Sequence, residues 1–121
     1  MLPTSTTLPI HIRPGNLQTS SAIDAWVHRK LAGAFRRYGS IMTAVEVHFE
    51  DVNGPKHGAA DARCVMEARV NGRSPIAVQA RAGDLYSAID AAVRKLDAAI
   101  ARVVERTDAR ARRRFRQQLT R

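Results

Sequence analysis

Apolar residues recur at every second position in some segments of this chain and at every third or fourth position in others. Alternation with polar residues is typical of a strand with one buried face, whereas the longer spacing lines one side of a helix. The order of these spacings predicts a strand, a helix, three strands and a second helix. Hydrophobic residues make up 45% of the 121 positions, which is enough for a single core without a metal or a disulfide.

Four segments have the alternation expected of strands. The first ends at Pro14-Gly15, and the second leads into the turn-forming run Asp51–Gly58. The dipeptide Asn71-Gly72 separates the third from the fourth and predicts a two-residue type I′ hairpin, because that turn needs positive φ at both residues. The predicted inward positions are Ile10 and Ile12 in the first strand, Val45, Val47 and Phe49 in the second, Cys64, Met66, Ala68 and Val70 in the third, and Ile76, Val78 and Ala80 in the fourth.

Two segments have helical spacing. The first follows the N-cap residues Thr19, Ser20 and Ser21 and ends at Gly39. The second follows Gly83-Asp84 with an apolar stripe about five turns long, and we expect it to fray into the arginine-rich segment behind it. The apolar positions are Ile23, Trp26, Val27, Leu31, Ala34, Phe35 and Tyr38 in the first helix and Leu85, Ile89, Val93, Leu96, Ile100 and Val103 in the second.

These elements predict an α+β fold in two layers, a β-α-β-β-β-α sandwich with two helices on one face of a four-stranded mixed sheet. The β-α-β start favours a right-handed crossover with the first two strands parallel, and the short connections that follow make strands two to four antiparallel. We expect three parts along the chain: a disordered leader over residues 1–8, a folded domain over 9–107 and a basic arginine-rich tail over 108–121.

The charge balance favours an anionic partner, because 20 Lys and Arg against 11 Asp and Glu give a net charge of +9. Eight of the arginines lie between Arg102 and Arg121 with only two acidic residues, so most of the excess is near the carboxyl-terminal end.

Helical spacing also places a basic stripe on each helix, away from its apolar side, where it can meet RNA phosphates. The alternative is an ordinary solvated surface, since acidic residues interleave with the stripes and Asp90 has the i,i+4 spacing to pair with Arg94. The predicted RNA-binding residues are Arg29, Lys30, Arg36 and Arg37 on the first helix, Arg94, Lys95, Arg102 and Arg106 on the second, and Arg112, Arg113 and Arg114 in the tail.

The outward face of the predicted sheet carries charges of both signs and no Phe, Tyr or Trp. RNA-recognition motifs stack bases on exposed rings of their sheet, so this face does not fit that mode of binding. The expected outward residues are His11, Arg13, Glu46, His48, Glu50, Arg63, Glu67, Arg69, Gln79 and Arg81.

Residue patterns for catalysis or metal binding are sparse. Cys64 is the only cysteine, which excludes an intramolecular disulfide, and its place on the apolar face of a strand is typical of an inert thiol. The four histidines lack the spacing of a metal motif. We therefore predict no catalytic residues, no metal and no cofactor. The alternative is a small enzyme or metal protein that uses Cys64, His48 and His57.

Two features concern the compartment of the protein. No apolar run approaches the roughly 18 residues that a membrane-spanning helix needs, so we expect no membrane partner. A single cysteine fits a reducing environment, and the predicted compartment is the cytoplasm.

The beginning of the second predicted helix resembles a known family. The stretch Asp84-Leu-Tyr86-Ser-Ala88-Ile89-Asp90, followed by Lys95-Leu96, is similar to the D-x-Y-x-A-I-D…K-L stretch of the ribosome hibernation-promoting factors. These proteins are also called ribosome-associated inhibitors or ribosomal subunit interface proteins. The resemblance covers Leu8 to Thr107 and includes the order of elements. The first helix matches the family at Trp26-Val27, Lys30, Phe35 and Tyr38.

The resemblance implies a non-catalytic protein that occupies the messenger and transfer RNA channel of the small ribosomal subunit and silences idle ribosomes under stress. It also implies the short form of the family, which lacks the carboxyl-terminal dimerisation domain, and a monomer away from the ribosome. The alternative function is a general basic RNA-binding module, of the double-stranded-RNA type and not specific to ribosomes. The basic positions that match the family are Lys30, Arg36, Lys95 and Arg102.

Overall fold

The computed structural model describes residues 8–13, 15, 20–51 and 61–119. Its elements follow the predicted order, so the α+β fold prediction is confirmed. The predicted leader, apart from Leu8, and the Asp51–Gly58 run, apart from Asp51, lie outside the described residues. The elements are β1 (Ile10–Arg13), α1 (Ser21–Tyr38), β2 (Met42–Asp51), β3 (Ala62–Val70), β4 (Ile76–Ala82) and α2 (Leu85–Leu119).

The described strands form one four-stranded sheet in the order β1-β2-β3-β4. β1 and β2 are parallel, while β2, β3 and β4 are antiparallel neighbours, as the connections predict. The register sets inward residues opposite one another, with Phe49 beside Cys64 and with Met66 between Val47 and Val78. The apolar sides of the strands therefore line up across the sheet as a single surface.

Both helices cover this apolar surface. Their apolar stripes meet the strands in one core, where Leu31 of α1, Phe49 of β2, Met66 of β3 and Leu96 of α2 have no exposed surface. Burying a side chain of this size stabilises a fold by about 1.5–3 kcal/mol relative to leaving it exposed. None of the described residues buries a charged or polar side chain. The charges that can meet a partner are therefore at the surface.

Each helix begins at a side-chain cap. The Ser20 hydroxyl accepts a hydrogen bond from the Ile23 amide at 3.3 Å. The Asp84 carboxylate accepts two hydrogen bonds at 2.9 Å, from the Ser87 amide and from the Ser87 hydroxyl. These bonds, the amide first, lower the pKa of Asp84. A folded-state pKa below the unfolded value means that the cap stabilises the fold at neutral pH and loses this contribution as the pH falls through the folded pKa.

The turn predicted at Asn71-Gly72 forms: the Arg73 amide donates to the Val70 carbonyl at 3.2 Å across it, and Gly72 has a positive φ of 70°. The strands do not pair up to this turn, so the connection between β3 and β4 is five residues long and not two. The last pair in the ladder is Ala68 with Ile76. Beyond it, the Asn71 amide donates to the Ile41 carbonyl at 2.8 Å and not to β4. Pro75 has no amide proton to donate to a ladder. These two backbone constraints keep the strands from pairing up to the turn.

α2 is longer than the predicted helix, because it does not fray behind Val103 but continues to Leu119. The sequence from Leu85 to Leu119 contains no Gly or Pro, and Ala, Arg, Gln and Leu all favour helix. Extending a helix that is already formed also avoids the cost of nucleation. Thr107 holds this helix against the β3-β4 connection, where its hydroxyl accepts a hydrogen bond from the Arg73 guanidinium.

Residues Arg110–Leu119, which we call the α2 overhang, are all exposed. They extend the helix beyond the sandwich by about 15 Å, at 1.5 Å per residue. Neither α1 nor α2 contains a stretch that is apolar and long enough to cross a lipid bilayer.

We expect Phe49→Ala to lower the free energy of unfolding by about 3–5 kcal/mol, because the fully buried ring leaves a cavity in the core. Urea denaturation followed by circular dichroism measures the change. Leu119→Ala is the control: its side chain is exposed on the overhang, so its free energy of unfolding should change by no more than about 0.5 kcal/mol. Equal effects of the two substitutions would contradict the core described above.

Candidate nucleic-acid interface

α1 and α2 lie side by side on the sheet, and side chains join them along their length. Trp26 Nε1 donates to Asp90 Oδ1 at 3.2 Å, and Lys30 Nζ lies 3.5 Å from the same oxygen. Further along, Arg37 Nη2 is 2.6 Å from Asp97 Oδ1. Because the partners advance together along both helices, α1 and α2 run parallel. We call these five residues the helix seam.

Trp26 is the centre of an aromatic and cationic cluster in the helix seam. Its ring meets Tyr86 of α2 edge to face, with centroids 5.3 Å apart and planes at 83°. The Lys30 ammonium lies 4.6 Å from the Trp26 ring centroid. Ring pairs and cation–π contacts of this kind each contribute about 0.5–1.5 kcal/mol. The cluster therefore holds α2 against α1 and fixes the direction of Lys30.

Two predicted RNA-binding residues, Lys30 and Arg37, are thus engaged by acidic side chains of the neighbouring helix. The hydrogen bond from Arg37 to Asp97, with the charge of that carboxylate, raises the pKa of Arg37. The predicted pair of Asp90 with Arg94 needs correction, since in the described part of the chain Asp90 pairs with Lys30. Packing turns Asp90 toward α1, which a spacing rule within one helix does not include. The two seam aspartates are therefore neutralised by α1.

A second group of predicted residues is exposed and makes no ion pair within the described ranges. Guanidinium groups without a carboxylate partner keep their N–H donors for phosphate, which they bind in a bidentate manner. Helix periodicity directs these side chains away from the core on both helices. We call them the outer arginines: Arg29 and Arg36 of α1, and Arg94 and Arg102 of α2.

Lys95 lies on the flank of α2 that faces β4. Its ammonium donates to the Gln79 carbonyl at 2.9 Å, in a shallow depression that Arg63 and Arg81 also line. Lys95 follows Asp90 by five residues, which places the two side chains about 140° apart around the helix axis. Lys95 therefore points away from the helix seam. By the same periodicity Arg106 and Arg102 both lie within about 20° of Lys95, so Arg106 shares this flank and Arg102 lies at the border between the flank and the outer surface. The prediction that the basic residues of both helices, Lys95 included, form one surface is therefore corrected. The structure has an outer surface and, beside β4, a separate flank of α2 that carries Lys95.

The last three predicted residues, Arg112, Arg113 and Arg114, are exposed on the α2 overhang, away from the helix seam. The overhang also presents Phe115, whose side chain is 62% exposed and which charge patterning did not identify. The signal that identifies it is a lone aromatic residue inside a run of arginines.

Arginines on the outward sheet face are paired with carboxylates, in contrast to the outer arginines. This is the mixed-sign face that strand alternation predicts, with no Phe, Tyr or Trp among its described residues. Pairing opposite charges at close range leaves a weak field for a polyanion. The pairs are Arg13 and Arg69 with Glu46 at 3.5 and 3.7 Å, Arg81 with Asp61 at 3.0 Å, and Arg63 with Glu50.

Cys64 and His48 face opposite sides of the sheet. Cys64 is fully buried, and its burial raises the pKa of the thiol to about 12. His48 is exposed on the outward face. A thiol held in its protonated form is a poor nucleophile and a poor metal ligand, while His57 lies outside the described residues. No group of three or more His, Cys, Asp or Glu among the described residues is arranged to hold a metal ion.

Residues 10–108 match the family model described as Sigma 54 modulation protein / S30EA ribosomal protein. The chain belongs to this family. The match takes in the sheet and both packed helices and leaves the α2 overhang outside. It agrees with the resemblance to the ribosome hibernation-promoting factors. A comparison with curated proteins finds no match.

Two solved structures are similar to this family member. The N-terminal domain of Protein Y from Thermus thermophilus superimposes with a TM-score of 0.64 at 27% sequence identity, over 79% of this chain and 97% of that one. A ribosomal subunit interface protein from Coxiella burnetii gives a TM-score of 0.65 over the same shares of the two chains. At 18% identity, the second likeness shows the fold alone.

We expect the Cys64 thiol to react with Ellman's reagent at pH 8 only after unfolding in guanidinium, because it is buried and protonated in the folded protein. Its folded-state pKa lies above the ordinary value of 9.0, so its contribution to stability is complete below about pH 9 and is lost between about pH 9 and 12. The absorbance of the released thionitrobenzoate measures the reaction in native and unfolded samples. Rapid labelling of the native protein would instead indicate an accessible thiolate.

Proposed function

We propose that this protein binds the small ribosomal subunit through ribosomal RNA and silences translation by occupying the channel for messenger and transfer RNA. Its family, described as Sigma 54 modulation protein / S30EA ribosomal protein, supports a ribosomal role. The observation that carries the binding surface is the contrast between two faces. The outer arginines have no ion pair among the described residues, whereas arginines of the outward sheet face are paired.

The outer arginines suit phosphate groups on a folded RNA surface. Arg29 and Arg36 are about 10 Å apart along α1, and Arg94 and Arg102 are about 12 Å apart along α2, at 1.5 Å per residue. Contacts from such groups to backbone phosphates position a protein without reading bases. The two helices hold the groups at fixed spacings because both are packed on the sheet. A surface of this kind recognises the shape of an RNA more than its sequence.

The helix seam supports this surface in two ways. Asp90 and Asp97 are neutralised by Lys30 and Arg37, so they repel phosphate less than free carboxylates do. Lys30 and Arg37 also have further N–H donors beyond those given to the aspartates. We propose that these two residues act beside the outer arginines at the centre of the interface.

The proposed action requires occupancy and no bond-breaking step. A protein that fills the channel prevents messenger and transfer RNA from entering it. In this proposal the protein acts in the cytoplasm without a cofactor and is a monomer away from the ribosome.

A second candidate function is a general RNA-binding module that does not distinguish ribosomes from other RNA. The α2 overhang favours it, because its five arginines lie outside the residues that match the family. Naked RNA separates the two functions. A protein that fits a shaped site on the ribosome stays bound to ribosomes in excess naked RNA, while a general RNA-binding module is released from them.

We expect the triple variant Arg29→Gln, Arg36→Gln and Arg102→Gln to lose ribosome association at salt concentrations where the natural protein stays bound. Loss of three phosphate contacts should make the plot of log K for ribosome binding against log salt less steep, by about 2–3 in the magnitude of its slope. Co-sedimentation with purified ribosomes across a salt series, with and without duplex RNA as competitor, measures both quantities.

The matched control is Arg13→Gln, Arg69→Gln and Arg81→Gln, which removes the same charge from the outward sheet face. This variant should sediment with ribosomes much like the natural protein. Equal losses in both variants would show that net charge alone matters and would contradict the proposed face. Complete release by duplex RNA would favour the general module.

A further inference from the structure

The α2 overhang presents a feature that the proposed two-helix surface does not use. Phe115 and Leu119 are 62% and 68% exposed, one turn apart on the same side of the helix. The overhang lies outside the residues that match the family, which end at position 108. It contains five arginines and no acidic residue. An exposed ring among arginines is suited to an anionic partner that also has an apolar or aromatic surface.

The arginines surround Phe115 and do not occupy one side of the helix. Periodicity of 100° per residue puts Arg112 and Arg113 about 60° and 160° to one side of the ring, and Arg114 and Arg110 about 100° and 140° to the other. All four are exposed. Positive charge is therefore available on both sides of the ring and behind it.

This arrangement selects among anionic partners. A flat membrane meets one side of a helix whose apolar side is wide, and here it would leave Arg110 and Arg113 turned toward water. A second copy of the overhang would bring five positive charges against five. An RNA strand instead follows the helix surface with phosphates on either side of a base. Unpaired bases stack on exposed aromatic rings with little preference for sequence.

We infer that the α2 overhang binds single-stranded RNA, with an unpaired base stacked on Phe115 and neighbouring phosphates held by the arginines on both sides of the ring. The phosphates also relieve repulsion between arginines spaced four apart, such as Arg110 with Arg114 and Arg112 with Arg116. This goes beyond the proposed function, because it concerns a separate segment and does not require a ribosome.

The test measures binding of the full chain to two fluorescent ligands by anisotropy. One is a ten-nucleotide oligoadenylate, and the other is the same sugar–phosphate backbone without bases. Phe115→Leu keeps an apolar, helix-favouring side chain but removes the ring. It should weaken binding to oligoadenylate by about 5- to 100-fold, the usual range for one stacked base, and leave the base-free backbone unaffected.

Leu119→Ala is the matched control, since it removes the other exposed apolar side chain of the overhang without touching the ring. It should leave both affinities unchanged, and far-ultraviolet circular dichroism should show equal helix content in all three proteins. Equal affinity of the natural protein for the two ligands would overturn the inference. So would an equal loss on both ligands in Phe115→Leu.

Two further measurements distinguish this inference from membrane binding and from the proposed ribosome binding. Binding to phosphatidylserine vesicles that exceeds binding to oligoadenylate and falls in Phe115→Leu would assign the overhang to a membrane and overturn it. Ribosome co-sedimentation tests the proposed function by itself. If ribosome binding does not depend on the outer arginines but Phe115→Leu weakens binding to oligoadenylate, only the proposed function is overturned. If ribosome binding depends on the outer arginines but Phe115→Leu has no effect on oligoadenylate, only the role of Phe115 is overturned.

Discussion

Burial of one sheet face under two parallel helices determines where the charges of this protein lie. Leu31 of α1 and Leu96 of α2 both reach the same core, so each helix has a fixed inward side. The remaining sides are then assigned by the 100° step of the helix. Charges near the boundary between the helices meet across it, as Lys30 and Asp90 do. Charges further round, such as Arg36, are left to solvent and to any partner.

The distribution of carboxylates matters as much as that of arginines. Asp90 and Asp97 of α2 pair with α1 in the helix seam. Glu46, Glu50 and Asp61 pair with the arginines of the outward sheet face. The outer helical surface keeps arginines without such partners in the described part of the chain. Screening limits the reach of each charge to about 8 Å at physiological salt, so local pairing decides which face attracts a polyanion.

The period of apolar residues was sufficient to predict the elements, their order and the inward side of each strand. This signal is local, because the same side chains that set the period also form the core. The turn at Asn71-Gly72 was predicted from its two residues, but the extent of the β3-β4 pairing was not, since the Asn71 amide bonds to Ile41, a residue far away in sequence. The direction of Lys95 was missed because periodicity alone does not say which flank of α2 meets α1. The length of α2 depends on helix propensity in a segment where charge patterning had predicted fraying.

The unbroken course of α2 gives the molecule a fixed length scale. Arg94 on the outer surface and Phe115 on the overhang belong to one helix, about 30 Å apart along its axis at 1.5 Å per residue. Inserting one residue between them would turn the overhang by about 100° relative to the outer arginines, while inserting seven would nearly restore its direction about 10 Å further out. In the proposed binding, α2 therefore fixes both the separation and the relative angle of two RNA segments bound at the same time.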